Sequence, residues 1–168
     1  MSADQDHKKT KLKTRIKPAT AFQEVEVDPS GTLLDVLKAG AAAGGQHVLP
    51  PEGEPLDRLH GLDQHGVVGL ALPLEEGIEE YLHRPHTSKE FEIELVLAIR
   101  VNARWAIASS EMMNPREILQ LPAINLDPAA YSLYRLGGNE ALPADIAIKL
   151  HRGDRFEAQR DGKYGGAS

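Results

Sequence analysis

Apolar and polar side chains alternate most clearly over residues 91–101, where Phe91, Ile93, Leu95, Leu97, Ile99 and Val101 take the odd positions and Glu92, Glu94 and Arg100 lie between them. A period of two puts the apolar set on one face of an extended chain, so the stretch predicts a half-buried strand. Residues 22–27 alternate too, with Gln23, Val25 and Val27 on one face and Glu24 and Glu26 on the other. Asp28-Pro29-Ser30-Gly31 is turn chemistry. Thr32, followed three positions on by Asp35, is a variant capping box. Leu33, Val36, Leu37 and Gly40 then recur at helical spacing until Gly44-Gly45 stops the helix. Residues 46–49, 67–72 and 78–82 read as short strands, the first ended by Pro50-Pro51.

Beyond the long alternation, Asn102-Ala103 predicts a turn and residues 104–108 a returning strand, which makes a hairpin. Asn114 caps a helix with Pro115 at its first position; Ile118, Leu119 and Leu121 face inward and Pro122 ends it. Residues 131–136 predict a strand closed by Gly137-Gly138-Asn139, and Ile146, Ile148 and Leu150 alternate again. Gly153-Asp154 turns the chain into a last strand, 155–159, around Phe156. Both halves thus read strand, strand, helix, strand, loop, strand, strand, an internal duplication of units near half of 168 residues. The predicted division is a disordered tail at 1–10, a first unit at 11–83, a polar linker at 84–90 (RPHTSKE), a second unit at 91–160 and a flexible C-terminal tail at 161–168. A helix laid across one face of a mixed sheet after an opening hairpin is the β-grasp arrangement, so the predicted fold class is α+β with two tandem β-grasp domains.

Composition supports two compact units. Leu, Ile, Val and Phe make up about a quarter of the chain, above the roughly 20% below which chains stay disordered. Aromatic residues are 5%, so the cores are expected to be aliphatic. The absence of cysteine excludes disulfide frameworks, thiolate zinc sites and thiol nucleophiles. No apolar stretch approaches the ~20 residues of a spanning helix, and residues 1–9 are polar with no apolar signal region behind them. The expected location is the cytoplasm, with no membrane partner. A net charge of −6 gives no global drive toward nucleic acid. One local exception is Lys8, Lys9, Lys11, Lys13, Arg15 and Lys17, six basic side chains without an acid among them. They read as a solvated tail running into a lysine-guarded edge strand. A weak anion-binding arm or a set of acceptor lysines are the functional alternatives.

Catalytic patterns are sparse. The pairs His60/His65 and His83/His86 lie in expected loops and lack a carboxylate-histidine motif, so no metal is expected. Ser109-Ser110 has no flanking elbow glycines, and residues 40–45 lack the Lys-Ser/Thr of a phosphate loop. Glu75-Glu76 and Glu79-Glu80 read as a solvated acidic edge. No catalytic residue and no cofactor are expected, and the chain is not expected to be an enzyme. Of three Gly-Gly pairs, Gly44-Gly45 and Gly137-Gly138 are explained as a helix stop and a turn. Gly165-Gly166 has no such explanation.

The tandem order, the stretches 95–104 (LVLAIRVNAR), 114–121, 131–135 (YSLYR) and 150–157 (LHRGDRFE), and the tail Lys163-Tyr164-Gly165-Gly166-Ala167-Ser168 carry a resemblance. The chain resembles the ubiquitin-like superfamily, and most closely the two-domain modifiers of bacterial antiphage operons, which are similar to the animal interferon-induced tandem modifier. The resemblance implies a protein modifier conjugated through the Gly166 carboxylate. Its implied partners are an E1-like adenylating enzyme, an E2-like transfer enzyme, target proteins that include phage structural proteins, and a JAMM-type metallopeptidase that removes Ala167 and Ser168. Glycine fits because a Cβ would clash in the narrow channels that receive such a tail. Arg160, Lys163 and Tyr164 are the implied tail-recognition residues. Lys163 and Tyr164 stand where eukaryotic modifiers often carry Arg or Leu, which favours a dedicated enzyme set. Relatives dock enzymes on a sheet face, so Tyr131, Leu133 and Arg135, which share one face of their strand, are the candidate docking patch. A non-covalent tandem adaptor and a sulfur carrier are the alternative readings.

Overall fold

The computed structural model describes residues 8–161 and divides the chain into two units between Leu95 and Val96. The fold is mixed α+β, with two mixed sheets, a two-stranded ribbon and three helices among the described residues. No helix among them is long and apolar enough to cross a membrane.

The first unit opens with strands β1 (Thr10–Ile16) and β2 (Gln23–Val27), antiparallel, with Leu12 opposite Val25. Helix α1 (Leu33–Ala43) starts where the Asp35 carboxylate accepts a hydrogen bond from the Thr32 N–H at 3.1 Å. It buries Leu33, Val36, Leu37, Gly40 and Ala41. Strands β3 (Arg58–Asp63) and β4 (Val68–Ala71), the short helix α2 (Ile78–Leu82) and strand β5 (Thr87–Glu94) complete the unit. The strand order is β2-β1-β5-β3-β4. β1 and β5 run parallel and the other neighbours antiparallel. Leu12, Leu33, Leu37, Leu59, Ile78, Phe91 and Ile93 form the centre of the core, each no more than 1% exposed.

Several expectations are corrected here. Residues 84–90 are not a linker: from Thr87 the chain is β5, the strand that joins β1 to β3. The alternation over 91–101 is two strands, not one. Glu94 ends β5, and Ala98 begins the first strand of the next unit. Phe91 and Ile93 are buried in β5 and Ile99 and Val101 in β6, all odd-numbered, so the period of two in the sequence runs through the boundary without a mark. β1 is not an edge strand, since β2 and β5 flank it. Ile78–Leu82 is helical because Ile78 and Tyr81, three positions apart, both pack inward while Glu79 and Glu80 lie in its first turn. Residues 46–49 form no strand. The buried Asp57 carboxylate takes the Leu49 N–H at 2.8 Å, and the two prolines that follow have none to give.

The second unit repeats the opening move with β6 (Ala98–Val101) and β7 (Arg104–Ile107). Their turn holds Asn102 at φ +55, a backbone that asparagine tolerates well. Asn102 also ties the turn to a later strand, where its side-chain oxygen accepts from the Ala158 N–H at 2.9 Å. After β8 (Met112–Met113) comes α3 (Pro115–Leu119), begun by a full capping box: Asn114 Oδ1 accepts from the Glu117 N–H at 2.8 Å, and the Asn114 N–H donates to Glu117 Oε1 at 2.9 Å. β9 (Tyr131–Arg135), β10 (Ile148–Lys149) and β11 (Arg155–Arg160) follow. The main sheet has the order β7-β6-β11-β9, and β8 pairs with β10 in the ribbon. β6 and β11 are parallel. Of the predicted strand around Ile146, only β10 forms, and Ile146 itself stays exposed. Ile99, Val101, Ile118, Leu119, Leu133 and Phe156 fill the core.

The two main sheets therefore share an order over four strands. In each, the hairpin strand that opens the unit lies between its hairpin partner and the unit's last strand, with which it runs parallel.

Candidate functional site

Gly165, Gly166, Ala167, Ser168, Lys163 and Tyr164 lie outside the described residues. Arg160 is the last residue of β11 and is exposed, in register with Tyr131. The strand that leads toward the Gly-Gly pair is thus an interior strand of its sheet, bonded to β6 on one side and β9 on the other.

Tyr131, Leu133 and Arg135 do share one face of β9, and at Leu133 that face looks into the core, while Arg135 at its end is exposed. Leu133 is 1% exposed and Tyr131 packs partly buried against the same core. Arg135 lies opposite Phe156, its guanidinium 5.6 Å from the centre of that ring. Burial against α3 and β11 removes Leu133 from any docking surface, which corrects the expectation.

The solvent face of the same sheet carries a different set. Register places Trp105 beside Arg100, and Arg100 beside Arg155. The Leu136 N–H donates to the Arg155 carbonyl at 3.1 Å, which puts Leu136 at the end of this row. Glu157 and Tyr134 pair in the row next to it. Two arginines in register on neighbouring strands repel. Arg100 donates from Nε to the Asn102 carbonyl at 2.7 Å. Among the described residues no carboxylate forms an ion pair with Arg100 or Arg155.

The first unit's outer face shows the opposite arrangement. Lys11 lies opposite Glu26, and Lys13 between Glu24 and Glu90. Arg15 lies opposite Glu92, with Nε 2.9 Å from Oε2, and Arg58 opposite Glu94. Each of these cations has an acid beside it, so the basic run from Lys11 to Arg15 is compensated in the folded sheet. This argues against an anion-binding arm there.

The histidines are spread over hydrogen bonds of their own. His60 contacts the Gly69 carbonyl through Nδ1 at 2.9 Å and Glu94 through Nε2 at 3.4 Å. His83 Nδ1 lies 2.6 Å from the Glu79 carbonyl, and His86 Nδ1 2.9 Å from Gln64 Nε2. No three His, Asp or Glu side chains converge to hold a metal among the described residues. Asp63 closes the β3–β4 turn by accepting the His65 and Val67 N–H groups at 2.8 and 2.9 Å. The Val67 N–H chiefly holds its carboxyl below the ordinary value, against a smaller desolvation effect, and the His65 N–H and the two nearby histidines add to the lowering. Burial pushes the Tyr81 hydroxyl up, with Arg84 opposing.

The row of Trp105, Arg100, Arg155 and Leu136 is absent from the sequence-derived candidates. Its signal was present in part: the Asn102-Ala103 turn fixes Trp105 opposite Arg100 once the hairpin is drawn. The parallel partner Arg155 has no such local marker. No family model matches the chain, and a search of curated proteins finds no match.

Proposed function

We propose that the chain is a ubiquitin-like protein modifier, made of two tandem β-grasp domains and attached to target amines through Gly166. The observation that carries the reading is the strand order common to both units, in which the last strand runs parallel to the first in the interior of the sheet. The second of these last strands leads, after four intervening residues beyond Arg160, into Gly165-Gly166.

The chemistry is that of acyl activation. The Gly166 carboxylate attacks the α-phosphate of ATP and pyrophosphate leaves. An enzyme thiol displaces AMP, and a target amine displaces the thiol to leave an isopeptide bond. Two residues without Cβ atoms let the carboxylate reach a buried adenylation site, and glycine accepts the extended backbone through which an enzyme strand would pair with the tail. The chain supplies no catalytic group in this scheme and is the substrate of an E1-like and an E2-like enzyme, after a JAMM-type peptidase has removed Ala167 and Ser168. The resemblance to antiphage modifiers suggests defence as the setting. Trp105, Arg100, Arg155 and Leu136 are the enzyme-docking residues in this reading, in place of the β9 set whose central residue, Leu133, is buried.

The test is mass spectrometry of the chain co-expressed with such enzymes. Expected are loss of the Ala167-Ser168 mass and an isopeptide linkage at Gly166, both abolished in Gly166→Asp. Conjugation that survives in Gly166→Asp sinks the proposal. A second reading, a non-covalent adaptor, is favoured by the uncompensated arginine row on the second sheet. It expects truncation after Tyr164 to leave partner binding and phenotype intact, whereas the modifier reading expects both to be lost.

A further inference from the structure

The outer strands of the two main sheets are β2, β4, β7 and β9. Exposed edges invite pairing with another chain, and charged side chains are a common guard. β2 carries Glu24 and Glu26, β7 carries Arg104 and β9 carries Arg135. β4 carries none, and the chain has no charge from Val67 to Leu74. All four residues of β4 are exposed, Leu70 at 90% and Val68 at 37%, with Val67 beside them at 61%.

The backbone of this edge is open as well. The Leu72 N–H donates to the Leu59 carbonyl at 2.8 Å, and the Asp63 N–H to the Val67 carbonyl at 2.9 Å. Antiparallel strands alternate bonded and non-bonded pairs. The neighbouring pairs, His60 with Ala71 and Leu62 with Val68, are therefore the non-bonded ones. The N–H and C=O groups of Val68 and Ala71 point away from β3, to the side where the sheet has no further strand. Val68 and Ala71 are three apart in sequence but face residues two apart, because the register shifts between His60 and Leu62. A partner strand of regular spacing meets them at positions two apart, as β3 does.

We infer that the open edge of β4 is a strand-addition site for an extended, uncharged peptide segment of another protein with apolar residues at alternate positions. Three observations select this occupant. A groove of about 420 Å³ beside the edge, lined by Leu62, Val68, Leu72 and Tyr81, takes an apolar side chain. The cation lining it, Arg84, is already neutralised by Glu76 at 2.7 Å, so an acidic side chain on the peptide is not rewarded. The exposed apolar area of Val67, Val68 and Leu70 is on the order of 300 Å², short of the ~800 Å² per partner that a stable globular interface uses. An added strand gains instead from backbone hydrogen bonds. The inference is independent of Gly166 and of any conjugation.

The test uses the full chain and a fluorescein-labelled, end-capped hexapeptide of alternating threonine and valine, followed by fluorescence anisotropy. A hexapeptide of alternating threonine and glutamate is the control. Saturable binding of the valine peptide is expected, with the glutamate peptide weaker by about tenfold or more. Ala71→Pro deletes an N–H that the sheet does not use, a change that edge strands accept, and is expected to weaken binding at least about tenfold with the circular dichroism spectrum retained. Val68→Lys restores the missing guard and is expected to do the same, which covers the case in which the proline variant fails to fold. Unchanged binding in a folded variant overturns the proposal. So does no binding at about millimolar peptide, or sedimentation showing that the full chain pairs with itself through this edge.

Discussion

Gly40 lies within α1, where glycine costs about 1 kcal/mol relative to alanine. Its lack of a side chain is nevertheless required by packing, since a Cβ there would run into Ile93 Cδ1 and come within 2.8 Å of Thr14 Oγ1. Overpacking outweighs propensity at such a contact, so Gly40→Ala is expected to destabilise the first unit by about 1–3 kcal/mol in urea denaturation. A stabilised variant would mean that helix and sheet can move apart freely. Asp63 makes a pH-dependent contribution. Its carboxyl is held low in the folded chain, so the stabilisation is complete above the unfolded value and fades as pH falls through the folded one. Asp63→Ala should therefore lower the urea midpoint at neutral pH, and the gap to the natural chain should close on acidification below about pH 4. A gap that is constant with pH would assign the effect to the turn backbone alone.

Short elements lean on their caps. α3 has five residues, too few to be stable by itself. Asn114→Ala removes one half of its capping box and should cost about 1 kcal/mol, read as a lower urea midpoint, while Asn114→Asp should retain most of the stability. Both helix starts, Thr32 with Asp35 and Asn114 with Pro115, were legible in the sequence because caps are local chemistry. So were β2, the β6–β7 hairpin, β9 and β11, where alternation is bounded by turn residues. What could not be read depends on partners distant in sequence. Leu95, Val96 and Leu97 continue an apolar pattern while the chain passes from one sheet to the other. Ile78–Leu82 is too short for periodicity to separate helix from strand. On the candidate site, the common face of Tyr131, Leu133 and Arg135 was legible, but that its centre, Leu133, packs in the core follows from the register with β11 and from α3, which no local pattern states.

At the scale of the whole chain, the position of the boundary decides which pieces can stand alone. β5 supplies Phe91 and Ile93, both fully buried, and bonds to β1 and β3. A fragment of residues 8–83 lacks it, leaving β1 and β3 without their common neighbour and the core without Phe91, its largest fully buried side chain. It is expected to stay unfolded, with collapsed amide dispersion in its NMR spectrum. A fragment of residues 8–95 carries all five strands and is expected to fold with a cooperative urea transition. The complementary fragment 96–168 keeps β6 to β11 and should fold as well. That fragment also separates the proposed roles of the two halves. It retains Gly165-Gly166 and the row of Trp105, Arg100, Arg155 and Leu136, so in the modifier reading it is still conjugated by the cognate enzymes. The valine peptide, by contrast, should bind the fragment 8–95 and not the fragment 96–168. A folded 8–83 fragment would return the boundary to the polar stretch 84–90. A folded 96–168 fragment that is never conjugated, beside a full chain that is, would move the enzyme-docking surface to the first unit.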